Sequence, residues 1–356
     1  MHVHLLVLNY NGRRLLETCL PSIVEAARAS RHRCEVAVID NDSDDDSIAW
    51  LIEHFPEVHR IRCANRGLCS FNQVLPILEG SVAILLNNDI KLAGDAIDPL
   101  VEPLAQAETG ANACFMTAPL CWQFDGKHYE GFRTAIRWRW GLVQATALFP
   151  GHETGIHQPG PTASAGAVMA VDRRKFVALG GFDPLYLPGR LEDLDLCLRA
   201  YLAGYHCRYV PKAVAWHRGM ATFSGVFGTA GCDRLSLRNT LLFQWKNLRH
   251  PGHLARQLVG LPARLVLDVF RAPWTPREHR WAFTRALFGA LRRVSRLRKS
   301  RWRAVAHGKA EKRFFDQFHP SRMRRYGTIS SEPTDHAPSQ TQTPTTAKHE
   351  MARSPA

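Results

Sequence analysis

The sequence predicts an α/β fold built on a mostly parallel sheet, and three observations carry that prediction. Short apolar runs alternate with amphipathic stretches from the first residues onward. The apolar runs end in polar clusters, and 45% of the 356 residues are hydrophobic, enough for a large core. A sheet of this kind binds ligands beyond the carboxyl ends of its strands, so the chemistry is to be sought in the loops that follow them.

The elements follow in order. Val3 to Leu8 reads as a strand that stops at the turn cluster Asn9-Tyr10-Asn11-Gly12, and Leu15 to Ala29 as a helix. The cycle repeats with a strand at Val36 to Ile39 and a helix at Asp46 to His54. A strand near Val58 to Ile61 and a helix at Leu68 to Leu78 come next, then a strand at Val82 to Leu86 and a helix at Asp95 to Gln106. From about 110 to 165 the periodicity weakens and aromatic residues accumulate, which predicts loops and short strands. Order returns with a strand over Ser164 to Val171 and a helix at Arg173 to Leu179. Leu191, Leu194, Leu198 and Leu202 form a helical stripe that Gly204 terminates, which places Glu192 and Asp193 in the first turn of a helix. Asp233 to Asn247 is predicted helical. Two further stripes follow, Leu254, Leu258, Leu261, Leu265 and Val269, then Phe283, Leu287, Leu291, Val294 and Leu297. Such helices pack on the core or lie in a membrane interface.

Charge is distributed unevenly. Residues 1–245 carry 23 Lys+Arg against 25 Asp+Glu, residues 246–326 carry 21 against 4, and residues 327–356 carry 2 against 3, so the net charge of +14 resides in one segment. With the element pattern this divides the chain into an α/β domain at 1–248, a basic amphipathic helical extension at 249–326, and a Ser-, Thr- and Pro-rich tail at 327–356 expected to be disordered. The nine cysteines are odd in number and scattered, with no metal-binding spacing, as expected of reduced thiols in the cytoplasm. Met1 to Leu5 runs into a strand without the features of a secretory signal, and no window offers the roughly 18–20 uninterrupted apolar residues of a membrane span. The basic segment suits anionic headgroups at the inner face of the plasma membrane; no motif supports nucleic-acid binding.

Several polar clusters are candidates for chemistry. Asn9, Tyr10 and Asn11 are explained by a turn alone, and a lone strand-end Asp such as Asp40 commonly caps a helix or forms a turn. Asp42 to Asp46 read as solvated loop and helix N-terminus. Glu192 and Asp193 suit a helix start, where an acidic residue contributes about 0.3–1 kcal/mol. Taken together, however, the loops at Asn9-Tyr10-Asn11, Asp40 to Ser43 and Asn87-Asn88-Asp89 fall at equivalent strand ends.

In order along the chain come Val7-Leu8-Asn9-Tyr10-Asn11-Gly12, Val38-Ile39-Asp40-Asn41, Asn65-Arg66-Gly67 with Asn72, and Leu85-Leu86-Asn87-Asn88-Asp89. Gly180-Gly181-Phe182-Asp183, Glu192-Asp193-Leu194-Asp195, Tyr209-Val210-Pro211, His217, Arg238-Asn239 and Lys246-Asn247 follow. This series resembles the rhamnosyltransferase-like branch of the family-2 inverting glycosyltransferases, which have the GT-A fold. The resemblance covers about Val3 to Leu248, and its collinearity is more specific than any single motif.

The resemblance implies an enzyme that moves a sugar, rhamnose in this branch, from a nucleotide-diphosphate donor to a cell-surface glycan or lipid-linked saccharide. It implies nucleotide contacts from Asn9, Tyr10, Asn11, Asp40, Asn41, Asn65, Asn72 and Asn88. It implies Mg²⁺ or Mn²⁺ held by Asp89 with His217, Asp193 as the base and Glu192 orienting the acceptor. Asn88 stands where the branch commonly has Pro, and the site has one carboxylate where many GT-A enzymes have two. A rival reading, a peripheral scaffold whose nucleotide site has decayed, draws on that departure and on the acidic 42–46 loop. Asp195, on another helical face, is expected to be structural.

Overall fold

A computed structural model describes residues 1–105, 113–219, 221–299 and 308–328. The first half is the predicted alternation: β1 (His2–Asn9), α1 (Arg13–Ala29), β2 (Arg33–Asp40), α2 (Ser47–His54), β3 (His59–Arg62), the single turn α3 (Phe71–Val74), β4 (Val82–Asn87), β5 (Ile90–Leu92) and α4 (Ile97–Ala105). Strands β3, β2, β1 and β4 lie side by side and parallel. The helix expected over Leu68 to Leu78 is instead α3 flanked by 3₁₀ turns at Gly67–Ser70 and Leu75–Ile77, where Pro76 removes a backbone donor. Gln106 lies outside the described residues.

The weakly periodic region holds a central strand, β6 (Cys114–Gln123), followed by β7 (Tyr129–Gly131), the hairpin β8 (Ala135–Arg139) and β9 (Leu142–Thr146), and β10 (Gly160–Pro161). Strand β6 escapes a period-2 reading because Cys114 to Cys121 are buried on both faces. Then come β11 (Val168–Asp172), α5 (Arg173–Ala178), α6 (Glu192–Leu202) and β12 (His206–His217). Strand β11 runs antiparallel between β4 and β6, giving the order β10-β12-β6-β11-β4-β1-β2-β3.

The C-terminal elements are α7 (Ala221–Asn247, kinked at Gly228), α8 (Pro251–Arg271), α9 (Ala282–Leu291), α10 (Val294–Lys299), α11 (Gly308–Gln317) and α12 (Pro320–Thr328). They share a second apolar cluster with the middle of the chain. Leu185, Leu194 and Leu198 pack with Leu241, Phe283 and Phe314. Residues 329–356, most of the tail expected to be disordered, lie outside the described residues. Among the described residues all nine cysteines are free, and no helix is long and apolar enough to cross a membrane.

Candidate active site

The polar loops after β1, β2 and β4 meet because their strands are adjacent and in register, Asn9 beside Asp40 and Leu8 beside Asn87. Side chains bind the loops to one another. Asn88 Nδ2 donates to Asn9 Oδ1 at 2.8 Å, the Asn11 amide donates to Ser43 Oγ at 3.0 Å, and the Asp44 amide donates to Asn11 Oδ1 at 2.9 Å. Gly12 is required by space: a Cβ there would lie 2.0 Å from Asn88 Nδ2 and 2.4 Å from Asn9 Oδ1. Asp45 accepts from the Arg13 and Ser47 amides, fixing the starts of α1 and α2, in keeping with its reading as a helix-end residue.

Within this rim Asp40 Oδ1, Asn41 Oδ1 and Asp89 Oδ1 are buried acceptors without a partner among the described residues. A buried acceptor left unsatisfied costs about 1–3 kcal/mol, so three at neighbouring strand ends point to a ligand that donates hydrogen bonds or a cation. Asn65 is exposed, and its Oδ1 accepts from the Gly67 amide. Asn72 is engaged elsewhere: it donates to the Phe182 carbonyl at 2.8 Å and accepts from the Phe182 amide at 2.9 Å, so it positions the 180–183 turn. Tyr10 is partly exposed on the same loop as Asn9.

Strand β12 delivers His217 beside Ile90, so that His217 Nε2 lies 3.4 Å from Asp89 Oδ2. On the other ring nitrogen, Nδ1 lies 3.2 Å from Glu130 Oε1 of β7. Burial works to lower the His217 pKa, but the bonds to Asp89 and Glu130 outweigh it and raise it to about 9. The bond to His217 holds the Glu130 carboxyl below its ordinary range. Glu130 was missed in the sequence because it sits in the aromatic stretch without periodicity; a carboxylate behind a candidate metal-binding histidine is a recurrent arrangement.

The Glu192-Asp193 pair reaches the same rim through the backbone. Asp193 Oδ2 accepts from the Gly166 amide at 3.2 Å, and the next carbonyl, Ala167, accepts from the Asn87 amide at 3.1 Å. Two steps along β4's exit is Asp89. Glu192 is buried with Oε2 unpartnered, and burial, reinforced by the charge of Asp193, pushes its carboxyl up to about 8.

The helix carrying this pair starts under strain. Arg190 and Leu191 both have left-handed backbone, at φ 84° and 72°, a conformation costing of order 1–3 kcal/mol in a non-glycine residue. Asn239 of α7 holds it, donating from Nδ2 to the carbonyls of Tyr186, Gly189 and Arg190 at 2.6, 2.7 and 3.0 Å. Below it Asp195 is fully buried and accepts from Tyr186, Arg199, Lys246 and Asn247, all within 2.9 Å. Burial opposes ionisation of Asp195, yet Lys246 and Arg199 hold its carboxyl well below the usual range. Lys246 also reaches Asp183 at 2.7 Å.

Residues 5–159 match the model of Glycosyl transferase family 2. A putative polypeptide N-acetylgalactosaminyltransferase 10 of Drosophila melanogaster is 23% identical over 198 residues, 52% of this chain and 31% of that protein. An uncharacterized protein y4gI of Sinorhizobium fredii is 26% identical over 200 residues, 53% of this chain and 21% of that protein. The chain thus spans a third or less of these relatives. In fold it is similar to GalNAc-T7 with UDP, GalNAc and Mn²⁺, at a TM-score of 0.53 and 17% identity, over 81% of this chain and 57% of that one. It is also similar to S. aureus TarS 1-349 in complex with UDP-GlcNAc, at 0.51 and 14% identity over 92% of each.

Proposed function

Starting from a glycosyltransferase family 2 domain at residues 5–159 on a GT-A-like fold, we propose that this chain is a metal-assisted inverting glycosyltransferase. The donor is a nucleotide-diphosphate sugar, with rhamnose the proposed sugar, and the acceptor is a hydroxyl of a cell-surface glycan or lipid-linked saccharide. Residues 1–248 form the catalytic unit, with 249–326 as a basic helical extension. The observation that carries this reading is the connected rim. Gly166 and Ala167 join Asp193 to the exit of β4, so the proposed base and the proposed diphosphate-binding carboxylate are tied to linked backbone segments.

The buried acceptors on Asp40 and Asn41 suit the N–H and hydroxyl donors of a nucleobase and ribose. Asp89 Oδ1, with His217 behind Asp89 Oδ2 and Glu130 behind His217, would hold a divalent ion beside the donor diphosphate. Such an ion, Mn²⁺ or Mg²⁺, neutralises charge on the leaving diphosphate. The UDP and Mn²⁺ bound to GalNAc-T7 support both assignments.

Asp193 removes the proton of the acceptor hydroxyl while that oxygen attacks the anomeric carbon; the bond from that carbon to the diphosphate oxygen breaks, and the nucleotide diphosphate leaves. Glu192, whose carboxyl burial and the charge of Asp193 push up to about 8, orients the acceptor.

The test is thermal stabilisation of the purified protein by dTDP, UDP, GDP or CMP, each with and without Mn²⁺ or Mg²⁺. A metal-dependent shift with dTDP supports a deoxysugar donor, and one with UDP redirects the donor sugar to a hexose or furanose. No shift with any of the four overturns the transferase reading in favour of a decayed site.

A further inference from the structure

Helix α8 is apolar on more than one side. Leu261 and Leu265 pack against the second apolar cluster, and polar groups share that inner side. His253 bonds Glu311 at 2.5 Å, Gln257 is buried, Arg264 donates to the Trp140 carbonyl, and Asp268 accepts from the Thr284 amide and hydroxyl at 2.9 and 2.8 Å. Its outward side carries Leu254, Leu258, Pro262, Val266 and Phe270, every fourth residue, with Trp274 one step beyond the helix. Leu258 is 78% exposed, Phe270 68% and Trp274 83%, whereas a surface helix ordinarily turns such residues inward.

The helix cannot turn to hide this face. Gly260 lies against Gly141 at the tip of the β8–β9 hairpin so closely that a Cβ on Gly260 would be 2.3 Å from the Gly141 Cα. At its N-terminus, Glu311 accepts from the backbone amides of Arg249 and His250. Trp140, more than half exposed at the same hairpin, extends the apolar surface.

We propose that this face of α8 is a docking surface for an anionic lipid bilayer, with the helix lying in the plane of the interface at the inner face of the plasma membrane. Exposed Arg256, Arg271, Arg277 and Arg285 accompany the apolar face, in a segment of 21 Lys+Arg against 4 Asp+Glu. Apolar side chains enter the acyl boundary while cations meet headgroups, and Trp274 and Trp140 suit the interface. A second copy of the chain fits less well, because pairing α8 on α8 would bring like-charged arginines together. Residues 327–356, with one Ile, one Met and no aromatic residue, offer little to cover the face. This proposal rests on the transferase reading only for the purpose of docking, to bring the site to a lipid-linked acceptor.

The experiment is co-sedimentation of the full chain with phosphatidylglycerol-containing and phosphatidylcholine vesicles, for the wild type and for L258E/F270E. The wild type binds anionic vesicles, and binding weakens as salt rises. The double variant binds at least tenfold more weakly, with its melting temperature unchanged. Leu258→Ser, a milder change at an exposed position, falls between the two. Absence of wild-type binding overturns the proposal, as does undiminished binding by the double variant. Light scattering that shows a dimer broken by L258E/F270E, with vesicle binding intact, assigns the face to a second copy instead. Nucleotide-induced stabilisation, measured on the same samples, tests the transferase reading separately.

Discussion

Glu192→Gln isolates the protonation state of one buried carboxyl. In the folded protein Glu192 is nearly sealed from water beside Asp193, and its pKa rises from 4.5 to about 8. Below pH 4.5 the group is protonated in both folded and unfolded states and contributes no pH dependence. Between 4.5 and about 8 the unfolded chain releases the proton that the folded chain retains, so stability falls as pH rises. Above about 8 both states are ionised and the loss is complete. Each unit is worth about 1.4 kcal/mol, so the interval sums to ~5 kcal/mol as an upper bound. Gln keeps the shape and the neutral charge and is free of this loss. Urea denaturation at pH 5, 6, 7, 8 and 9 should therefore show E192Q gaining on the wild type by up to about 1.4 kcal/mol per unit and levelling off past 8. Stability curves that run parallel from pH 5 to 9 would refute the reasoning. Activity provides a second readout, since E192Q should retain measurable transfer if a neutral group orients the acceptor.

Asp193→Asn removes the base without moving the Gly166 contact, so turnover should fall about 10²–10⁴-fold while nucleotide affinity by calorimetry is unchanged. Asp89→Ala should abolish the metal dependence of nucleotide binding in the thermal-shift assay, and Glu130→Gln should weaken it without abolishing it. Asn239→Ala releases three carbonyls that hold the left-handed start of α6. The expected loss is about 1–3 kcal/mol in denaturation, together with lower turnover at unaltered nucleotide affinity. Lys246→Met leaves Asp183 and Asp195 facing each other in the core, a loss of about 3–5 kcal/mol that the same denaturation series reads directly.

The parallel half of the sheet was legible because β1, β2 and β4 each hold an apolar run ended by a polar turn, and strands of one register bring those turns together. Strand β6 was not legible. Buried on both faces, it has no alternation, and Pro119 interrupts its β signal. Glu130 was lost with it, because a carboxylate in an aromatic loop is unremarkable until β12 places His217 opposite. Asn72 shows the converse. Its motif suggested a ligand contact, and only the fold revealed that the Phe182 backbone occupies both ends of its amide.

By itself the sequence determined the α/β alternation, the strand-end polar loops, the acidic start of α6 and the concentration of positive charge in one segment. These follow from periodicity and composition, which are local properties. Tertiary structure alone decided that Asp193 and Asp89 share a rim, that Asp195 is paired by Lys246 from 51 residues away, and that α8 covers Leu261 and Leu265 while leaving Leu258 and Phe270 in solvent. Each of these depends on which distant groups meet, and an amphipathic pattern states that a helix has two faces without stating which one the protein covers.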